Sequence, residues 1–446
     1  MNIKKKLYIE TYGCQMNFSD SQIVGSIMTD HEFETTDQIG EADLIFVNTC
    51  SIRDNAEKRI RARLKEFNRY KKKKPGLIIG VLGCMAERLK EQLLEEEKMV
   101  DVIVGPDAYR DLPRLLNLAE SGQKAINVIL SADETYADID PVRLESNGVS
   151  AFISIMRGCE NFCTYCVVPF TRGKERSREP ETIINEARGL FEQGYREVTL
   201  LGQNVNSYKS EAGIGFPGLM ELVASISPML RVRFATSHPK DLSDDLLKVM
   251  AAFPNICRSI HLPVQSGSDA MLRLMNRKYT KAWYMGRIEA IKQFLPDCAL
   301  STDIIAGFCN ETEEDHMETM QLMEKVGYDY AYMFKYSERP DTLAARKYKD
   351  NVPEDVKSQR LQQIIDLQQK LSLKSNKADI GKTFEVLVES ISRKSGEELA
   401  GRNSQNKVVV FPKGSFKPGD YVNVKIDSCT TATLKGKIAE SQQLPD

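Results

Sequence analysis

Along the first quarter of the chain, short apolar runs alternate with stretches whose apolar residues recur every three or four positions. The runs predict strands at Leu7 to Thr11, Ala42 to Asn48, Leu77 to Leu82 and Val100 to Val104. The periodic stretches predict helices at Ser19 to Thr29, Arg53 to Tyr70, Glu87 to Glu97 and Asp107 to about Glu120. Alternation of this kind builds an α/β domain on a mainly parallel sheet. Periodicity fades between Ser131 and Ser150, where acids, Pro141 and Gly148 predict a linker. Six further apolar runs follow, at Ala151 to Met156, Glu197 to Leu201, Arg231 to Thr236, Arg258 to Pro263, Leu300 to Ile305 and Ala331 to Tyr336. Helical patterns separate them. Six strand–helix units predict a partial (β/α)6 barrel, because eight are needed to close one. An amphipathic helix, Pro353 to about Lys377, comes next. After Gly381 the texture changes to short β runs at Phe384 to Val388, Lys407 to Phe411, Tyr421 to Ile426 and Ala432 to Ile438. Glycines, Gly401 among them, separate these runs and predict a small carboxy-terminal β-barrel. The expected class is α/β, with domains at residues 4–125, 149–377 and 378–441 and a linker at 126–148.

Composition changes this picture little. The chain has 446 residues, 41% of them hydrophobic, and a formal net charge of -2. That balance does not advertise nucleic-acid binding, so any such surface must be a local patch. One patch stands out: the predicted helix after Cys50 carries Lys58, Arg59, Arg61, Arg63, Lys65, Arg69 and Lys71 to Lys74. It is either a solvated face or a phosphate-contacting one. Lysines and Arg402 between the last strands leave the same choice, an RNA-facing surface or a structural cap. No apolar run reaches the roughly 20 residues of a membrane span. The basic start runs into a short strand rather than a signal-peptide core, so the expected location is cytoplasmic.

The cysteines carry the chemistry. Cys159, Cys163 and Cys166 stand at C-x3-C-x2-C spacing just past the strand Ala151 to Met156. Reduced, clustered thiols suit a metal or an iron–sulfur cluster. Such sites want four ligands, and no fourth Cys or His lies nearby. Either a position stays open for chemistry, or a distant residue completes a structural zinc site. Cys14, Cys50 and Cys84 each end a predicted strand of the first domain. Carboxyl ends of parallel strands line one edge, where open α/β sheets place ligands. The favoured expectation is a second three-cysteine site, against chance placement of buried thiols. Cys257, Cys298, Cys309 and Cys429 read as ordinary core or loop residues. At the ends of barrel strands, or in the loops after them, stand Gln203, Ser237, Gln265, Asp303 and Arg339, candidates for holding a cofactor.

The loop Arg157-Gly158-Cys159 to Cys166 after a first barrel strand resembles that of radical S-adenosylmethionine enzymes. From about Lys4 to Lys437 the chain is similar to their methylthiotransferase branch, which ends in a TRAM domain. Thr11-Tyr12-Gly13-Cys14-Gln15-Met16-Asn17, Pro169-Phe170-Thr171-Arg172-Gly173-Lys174-Glu175-Arg176-Ser177-Arg178, Asn48 to Ala56 and His261 to Ser268 resemble the subgroup acting on isopentenylated tRNA. Its sister subgroups typically have Lys-Val-Asn or Pro-Lys-Asn where this chain has Gln15-Met16-Asn17. The resemblance implies two 4Fe-4S clusters and S-adenosyl-L-methionine. Cys159, Cys163 and Cys166 would hold the radical-forming cluster, whose fourth iron binds adenosylmethionine. Cys14, Cys50 and Cys84 would hold an auxiliary cluster that carries sulfur. The reaction implied is methylthio transfer to C2 of N6-isopentenyladenosine at position 37 of tRNA. One adenosylmethionine would serve as methyl donor and a second as radical source. The implied partners are the anticodon stem-loop and a reducing electron donor, and the implied state is a monomer. Gln203, Ser237, Gln265, Asp303 and Arg339 are then candidates for binding adenosylmethionine, with Arg157 and Tyr165 shaping the cluster surroundings. The terminal β domain and the stretch Arg172 to Arg178 are the expected RNA contacts.

Overall fold

The structure, a computed structural model, describes residues 4–50, 54–144 and 146–439. Ser51, Ile52 and Arg53 of one quoted motif, residue 145 of the expected linker and residues 440–441 of the expected third domain lie outside the described residues. The first sheet contains β1 (Lys5–Thr11), β2 (Phe33–Thr35), β3 (Leu44–Thr49), β4 (Ile78–Gly83), β5 (Val102–Val104) and β6 (Ala125–Asn127). All neighbours pair in parallel, in the order β2-β1-β3-β4-β5-β6. β3 and β4 are buried along their whole length, which is why both read as unbroken apolar runs. The strand order reverses between β1 and β3, and such a switch point opens a crevice at the carboxyl edge. Three helices leave that edge: α1 (Gln15–Thr29) after β1, α2 (Asp54–Lys73) after β3 and α3 (Cys84–Leu89) after β4. The sequence shows a single helix at Glu87 to Glu97; the chain instead breaks at Lys90, where φ is +49°, into Cys84–Leu89 and Glu91–Glu96. The three-residue strands β2 and β6 are too short to show a period of their own.

The segment after β6 is irregular but packed. Tyr136 is buried, stacks on Tyr109 and donates a hydrogen bond to the Pro106 carbonyl. The central region opens with β7 (Ser150–Ser154), followed by an antiparallel two-residue pair, β8 (Met156–Arg157) and β9 (Arg176–Ser177). The barrel continues with β10 (Glu197–Leu201), β11 (Arg231–Ala235), β12 (Ser259–His261), β13 (Ala299–Ala306) and β14 (Tyr330–Lys335). They form two parallel three-stranded sheets, β7-β10-β11 and β12-β13-β14. Val232 of β11 bridges Ile256, three residues before β12, so the arc is partial, as expected, and interrupted midway. Leu300, Ile304 and Ile260 pack outward against the helices, in one core with Tyr284 and Ile288.

The 24-residue helix Glu354–Lys377 lies along β13 and β14. At 1.5 Å per residue it covers about 36 Å. It leads to a closed barrel of β15 (Thr383–Ile391), β16 (Glu398–Asn403), β17 (Val408–Pro412), β18 (Tyr421–Cys429) and β19 (Thr433–Ile438). Gly401 is not a separator but lies inside β16. A Cβ there would come within 2.1 Å of the Leu387 carbonyl oxygen, so glycine lets two strands approach. Tyr421 donates to the carbonyls of Arg196 and Met229, and the Arg231 and Arg233 guanidiniums donate to those of Arg402 and Asn403. These contacts lie at the amino ends of β10 and β11. The small barrel therefore docks about one strand length, ~17 Å, from the barrel mouth. Among the described residues, no helix is long and apolar enough to cross a membrane.

Candidate functional site

Cys14 caps α1, Cys50 follows β3 and Cys84 begins α3, so the first sheet brings all three to one edge. Two glycines make the approach possible. Gly13 has φ +124°, and a Cβ there would lie 2.4 Å from Cys50 Cβ. Gly83 has φ +87°, and a Cβ there would lie 2.4 Å from Asn48 Oδ1. Only glycine tolerates both the conformation and the closeness. The Cys14 thiol donates to Asn17 Oδ1 at 3.5 Å. A hydrogen bond with Cys50, with the Arg172 charge assisting, brings Cys14 down to about 6. Burial pushes Cys84 up instead.

The second trio sits on the loop after β8. Gly158 has φ +81°, and a Cβ there would overlap the Lys174 carbonyl oxygen at 1.8 Å. This closeness lets Cys159 N donate to Gly173 O at 3.1 Å. Thr164 N and Oγ1 donate to the carbonyls of Met275 and Leu274, and Ala344 N donates to Thr164 O. The loop is thus stitched to two other segments of the barrel. Arg277, buried, donates from Nη1 to Cys163 Sγ at 3.2 Å and to the Tyr165 hydroxyl at 3.3 Å. Its Nη2 donates to Pro263 O at 2.7 Å. Burial pushes Cys159 up to about 11 and Cys166 up to about 12.

Among the described residues, no three His, Cys, Asp or Glu side chains close around the point a single metal ion would occupy. A four-iron cluster is a different guest: each thiolate binds a different iron, so its ligands need not converge on one point. An all-sulfur donor set, reduced throughout, fits that guest.

The barrel mouth holds unpartnered polar atoms. Gln203 Oε1, Ser237 Oγ and His238 Nε2 are buried without a hydrogen-bond partner. Burial drives His238 down to about 2, so the ring is neutral. Its Nδ1 accepts from Lys240 N, which leaves the proton on the unpartnered Nε2. A polar ligand would satisfy all three atoms. Gln265 adopts φ +72°, and its backbone bonds to Asp303 O and Ile305 N. Asp303 Oδ1 lies 3.4 Å from His261 Nε2, on the barrel face opposite Leu300 and Ile304. Arg339 is buried, and the Cys50 thiol of the first trio is among the groups acting on its charge. Asn204 and Ser266 have structural partners, in Asp241 and His238 N for the first and Thr319 for the second.

The expected RNA stretch is buried. Arg172, Arg176 and Arg178 are all below 8% exposure. Arg157 Nη1 and Arg172 Nη2 each donate to a different oxygen of Asp20, at 2.8 and 2.7 Å. Arg176 Nη2 donates to both oxygens of Asp107 at 2.9 Å. Arg178 bonds Glu186 and the Ser154 carbonyl. Arg157, Arg172 and Arg176 therefore clamp the central region to the first domain, because a buried charge needs a buried partner, while Arg178 is held within the central region. Lys174 stays exposed.

Sequence reasoning passed over Arg277, His261 and the pair Tyr330 and Tyr332. The tyrosines are 53% and 48% exposed, meet edge to face at 5.0 Å, and share the Asp303 face. Their alternation in Tyr330-Ala331-Tyr332 was the available signal. Arg277 had none, since its partner is distant in sequence.

Residues 6–105 match the family model described as Uncharacterized protein family UPF0004, 153–323 the Radical SAM superfamily and 377–439 the TRAM domain. The chain is similar in fold to the radical S-adenosylmethionine methyltransferase TsrM from Kitasatospora setae, solved with cobalamin and a [4Fe-4S] cluster. That match has TM-score 0.59 at 13% identity and covers 77% of each chain. OxsB, a cobalamin-dependent S-adenosylmethionine radical enzyme, gives TM-score 0.53 at 13% identity, over 82% of this chain and 56% of that one. A relative in Amoebophilus asiaticus, named tRNA-2-methylthio-N(6)-dimethylallyladenosine synthase, is 60% identical over 98% of this chain and 93% of its own. One of the same name in Bacteroides thetaiotaomicron is 57% identical over 97% and 96%. Full-length identity of this order, on a radical-enzyme barrel with thiols at its mouth, places the chain in the family of radical S-adenosylmethionine enzymes named tRNA-2-methylthio-N(6)-dimethylallyladenosine synthases.

Proposed function

We propose that this enzyme places a methylthio group on C2 of N6-isopentenyladenosine at position 37 of tRNA. The observation that carries the reading is the pairing of two separate thiol trios, one at the carboxyl edge of the sheet and one at the barrel mouth, across a buried ion-pair clamp. We assign Cys159, Cys163 and Cys166 to the radical-forming 4Fe-4S cluster, and Cys14, Cys50 and Cys84 to an auxiliary one. When bound, these groups and two molecules of S-adenosyl-L-methionine supply the electron, the radical, the methyl group and the sulfur for substitution at an unactivated aromatic carbon. The chain's own residues position and exclude. Gln203, Ser237 and His238 offer their unpartnered atoms to adenosylmethionine, and Gln265 and Asp303 line the mouth beside them. Tyr330 and Tyr332 present faces on which a splayed adenine can stack. Arg339, buried within reach of Cys50, is assigned with Gln203, Ser237, Gln265 and Asp303 to adenosylmethionine.

Docking at the amino end of the strands keeps the small barrel from the reacting base, so its RNA contact falls on the stem. Exposed Lys58, Lys65, Arg69 and Lys72 on one side of α2 are a second surface for phosphates. Arg61, Arg63, Lys71 and Lys74 are paired with acids and take no part. The domain divisions at 4–125, 149–377 and 378–441 fit this division of labour. The test is anaerobic reconstitution with iron and sulfide, then incubation with adenosylmethionine, a reductant and isopentenylated tRNA. Nucleoside mass spectrometry is expected to show methylthio gain. Deoxyadenosine release with no methylthio product on that tRNA would overturn the substrate assignment.

A further inference from the structure

Tyr8, Glu10 and Tyr12 alternate along β1 and just past its end, so they share one face of the first sheet. Glu10 ties the row together. It accepts from the Tyr8 hydroxyl at 3.1 Å and from the Tyr12 hydroxyl. It also takes a fork from Arg63 of α2, with Nε 3.0 Å from both oxygens and Nη2 2.9 Å from one. The main chain fixes Tyr12 from the other end: its N donates to Asn48 O at 2.8 Å, and its O accepts from Asn17 Nδ2 at 3.0 Å. The ring is thus held by its hydroxyl and by its backbone, two residues before Cys14. It is nonetheless only half-buried. With Arg59, Ala62, Arg63 and Glu66 it lines an open hollow of about 270 Å³.

Size, lining and position say what this hollow takes. It is smaller than the roughly 300–1,000 Å³ of sites that enclose drug-sized molecules, so one ring system fits. Arg59 is exposed and makes no ion pair among the described residues. Glu66, the one acid of the lining, is neutralised by Arg63. A rigid aromatic face beside a free cation is the pairing that holds single-stranded RNA, the ring by stacking and the phosphate by charge. At 3.6 residues per turn, Arg59, Ala62, Arg63 and Glu66 share the side of α2 that adjoins the row Lys58, Lys65, Arg69 and Lys72. A phosphate backbone lying on that row carries its bases past the hollow.

We propose that the hollow takes one base of the substrate RNA next to the adenosine that reacts, stacked on Tyr12 with a phosphate on Arg59. This subsite rests on the reading above, in which RNA is the substrate and that row of α2 meets its phosphates. A neighbour stacked on Tyr12 leaves the loop's own stack, and the reacting adenosine is freed to splay toward the two trios. Glu10 and Arg63 do not touch the RNA. They are positioning residues that keep the ring standing at the edge of the hollow.

The test uses the reconstituted full chain and isopentenylated anticodon stem-loops that carry a single 5-iodouridine just before or just after the modified adenosine. Irradiation joins iodouracil to an aromatic ring stacked on it, and peptide mass spectrometry locates the joint. One of the two positions is expected to crosslink to Tyr12. Tyr12→Leu is expected to abolish that crosslink and to weaken stem-loop binding about tenfold, the size of a lost base–aromatic stack. Tyr12→Phe keeps the ring and is expected to keep the crosslink, so the proposal stays exposed to test even where Tyr12→Leu fails to fold. Arg59→Gln is expected to flatten the salt dependence of log Kd by roughly 0.7–0.9. A bound stem-loop that crosslinks elsewhere or not at all overturns the proposal and leaves the tRNA reading standing. So does an unchanged affinity in folded Tyr12→Leu, or loss of the crosslink to competing adenosine monophosphate, which would make the hollow a site for a free nucleotide. A parent that binds no isopentenylated stem-loop overturns both.

Discussion

Cys159, Cys163 and Cys166 share one loop, whereas Cys14, Cys50 and Cys84 come from three strand ends. The first set needs only to have its loop held. Gly158 lets the loop close on Lys174, and Met275, Leu274 and Ala344 fix its far side. The second set has no local geometry at all until the sheet forms, because β1, β3 and β4 must lie side by side first. The distributed site is therefore coupled to the stability of a whole domain, and the local one to a handful of tethers. The surrounding charges differ too. Arg277 sits directly on one thiol, while Arg172 divides its bonds among Asn17, Asp20 and the Cys84 thiol.

Removing one ligand from each trio breaks the comparison most severely. Cys159→Ala is expected to abolish both deoxyadenosine release and methylthio product, each by at least about a thousandfold, because the chemistry belongs to the cofactor. Cys84→Ala should lose the methylthio product to a similar degree yet keep deoxyadenosine release. Chromatography of the small products beside nucleoside mass spectrometry separates the two; parallel loss of both in Cys84→Ala would remove the division of roles.

Asp20→Asn strikes the clamp between the two sites. It leaves Arg157 and Arg172 facing a neutral side chain, and a loss of about 3–5 kcal/mol is expected for a broken buried pair. Denaturant unfolding measures it. Next come the glycines. Gly158→Ala and Gly83→Ala each force a side chain into a positive φ and against nearby atoms, and a cost of roughly 3 kcal/mol is expected for either. Iron content after reconstitution distinguishes them: the first should lose the loop's share of iron and the second the sheet's.

Arg277→Met tests the single hydrogen bond on Cys163. Second-sphere partners of metal ligands are worth about 10–100-fold, so the rate of deoxyadenosine release should fall by that factor with a shifted cluster potential. The smallest effect is expected on α2. Lys65→Gln should weaken tRNA binding a few-fold and flatten the salt dependence of log Kd by roughly 0.7–0.9 per charge removed. Filter binding across a salt series measures it, and an unchanged slope would mean that this face only meets solvent.

Much of the architecture was legible beforehand. Glu197–Leu201 has the bounds its pattern predicted, because it is buried throughout. β16 was missed because Gly401 reads as a breaker until its neighbour Leu387 is seen pressing on it. The stretch Arg172 to Arg178 misled for a related reason. A basic run looks like a surface for phosphate unless the acids that bury it are known, and Asp20 and Asp107 lie far away in sequence.

By itself, the sequence determined the elements, the cysteine spacing and the family, since periodicity, ligand spacing and motif are all local properties of a chain. Only the tertiary structure decided which charges face inward, which thiol receives Arg277, and which carboxylate holds Arg172. Those outcomes depend on pairs brought together across more than a hundred residues, as with Arg172 and Asn17. The energy of such a pair is set by burial and by its partner, and neither is written at the residue itself.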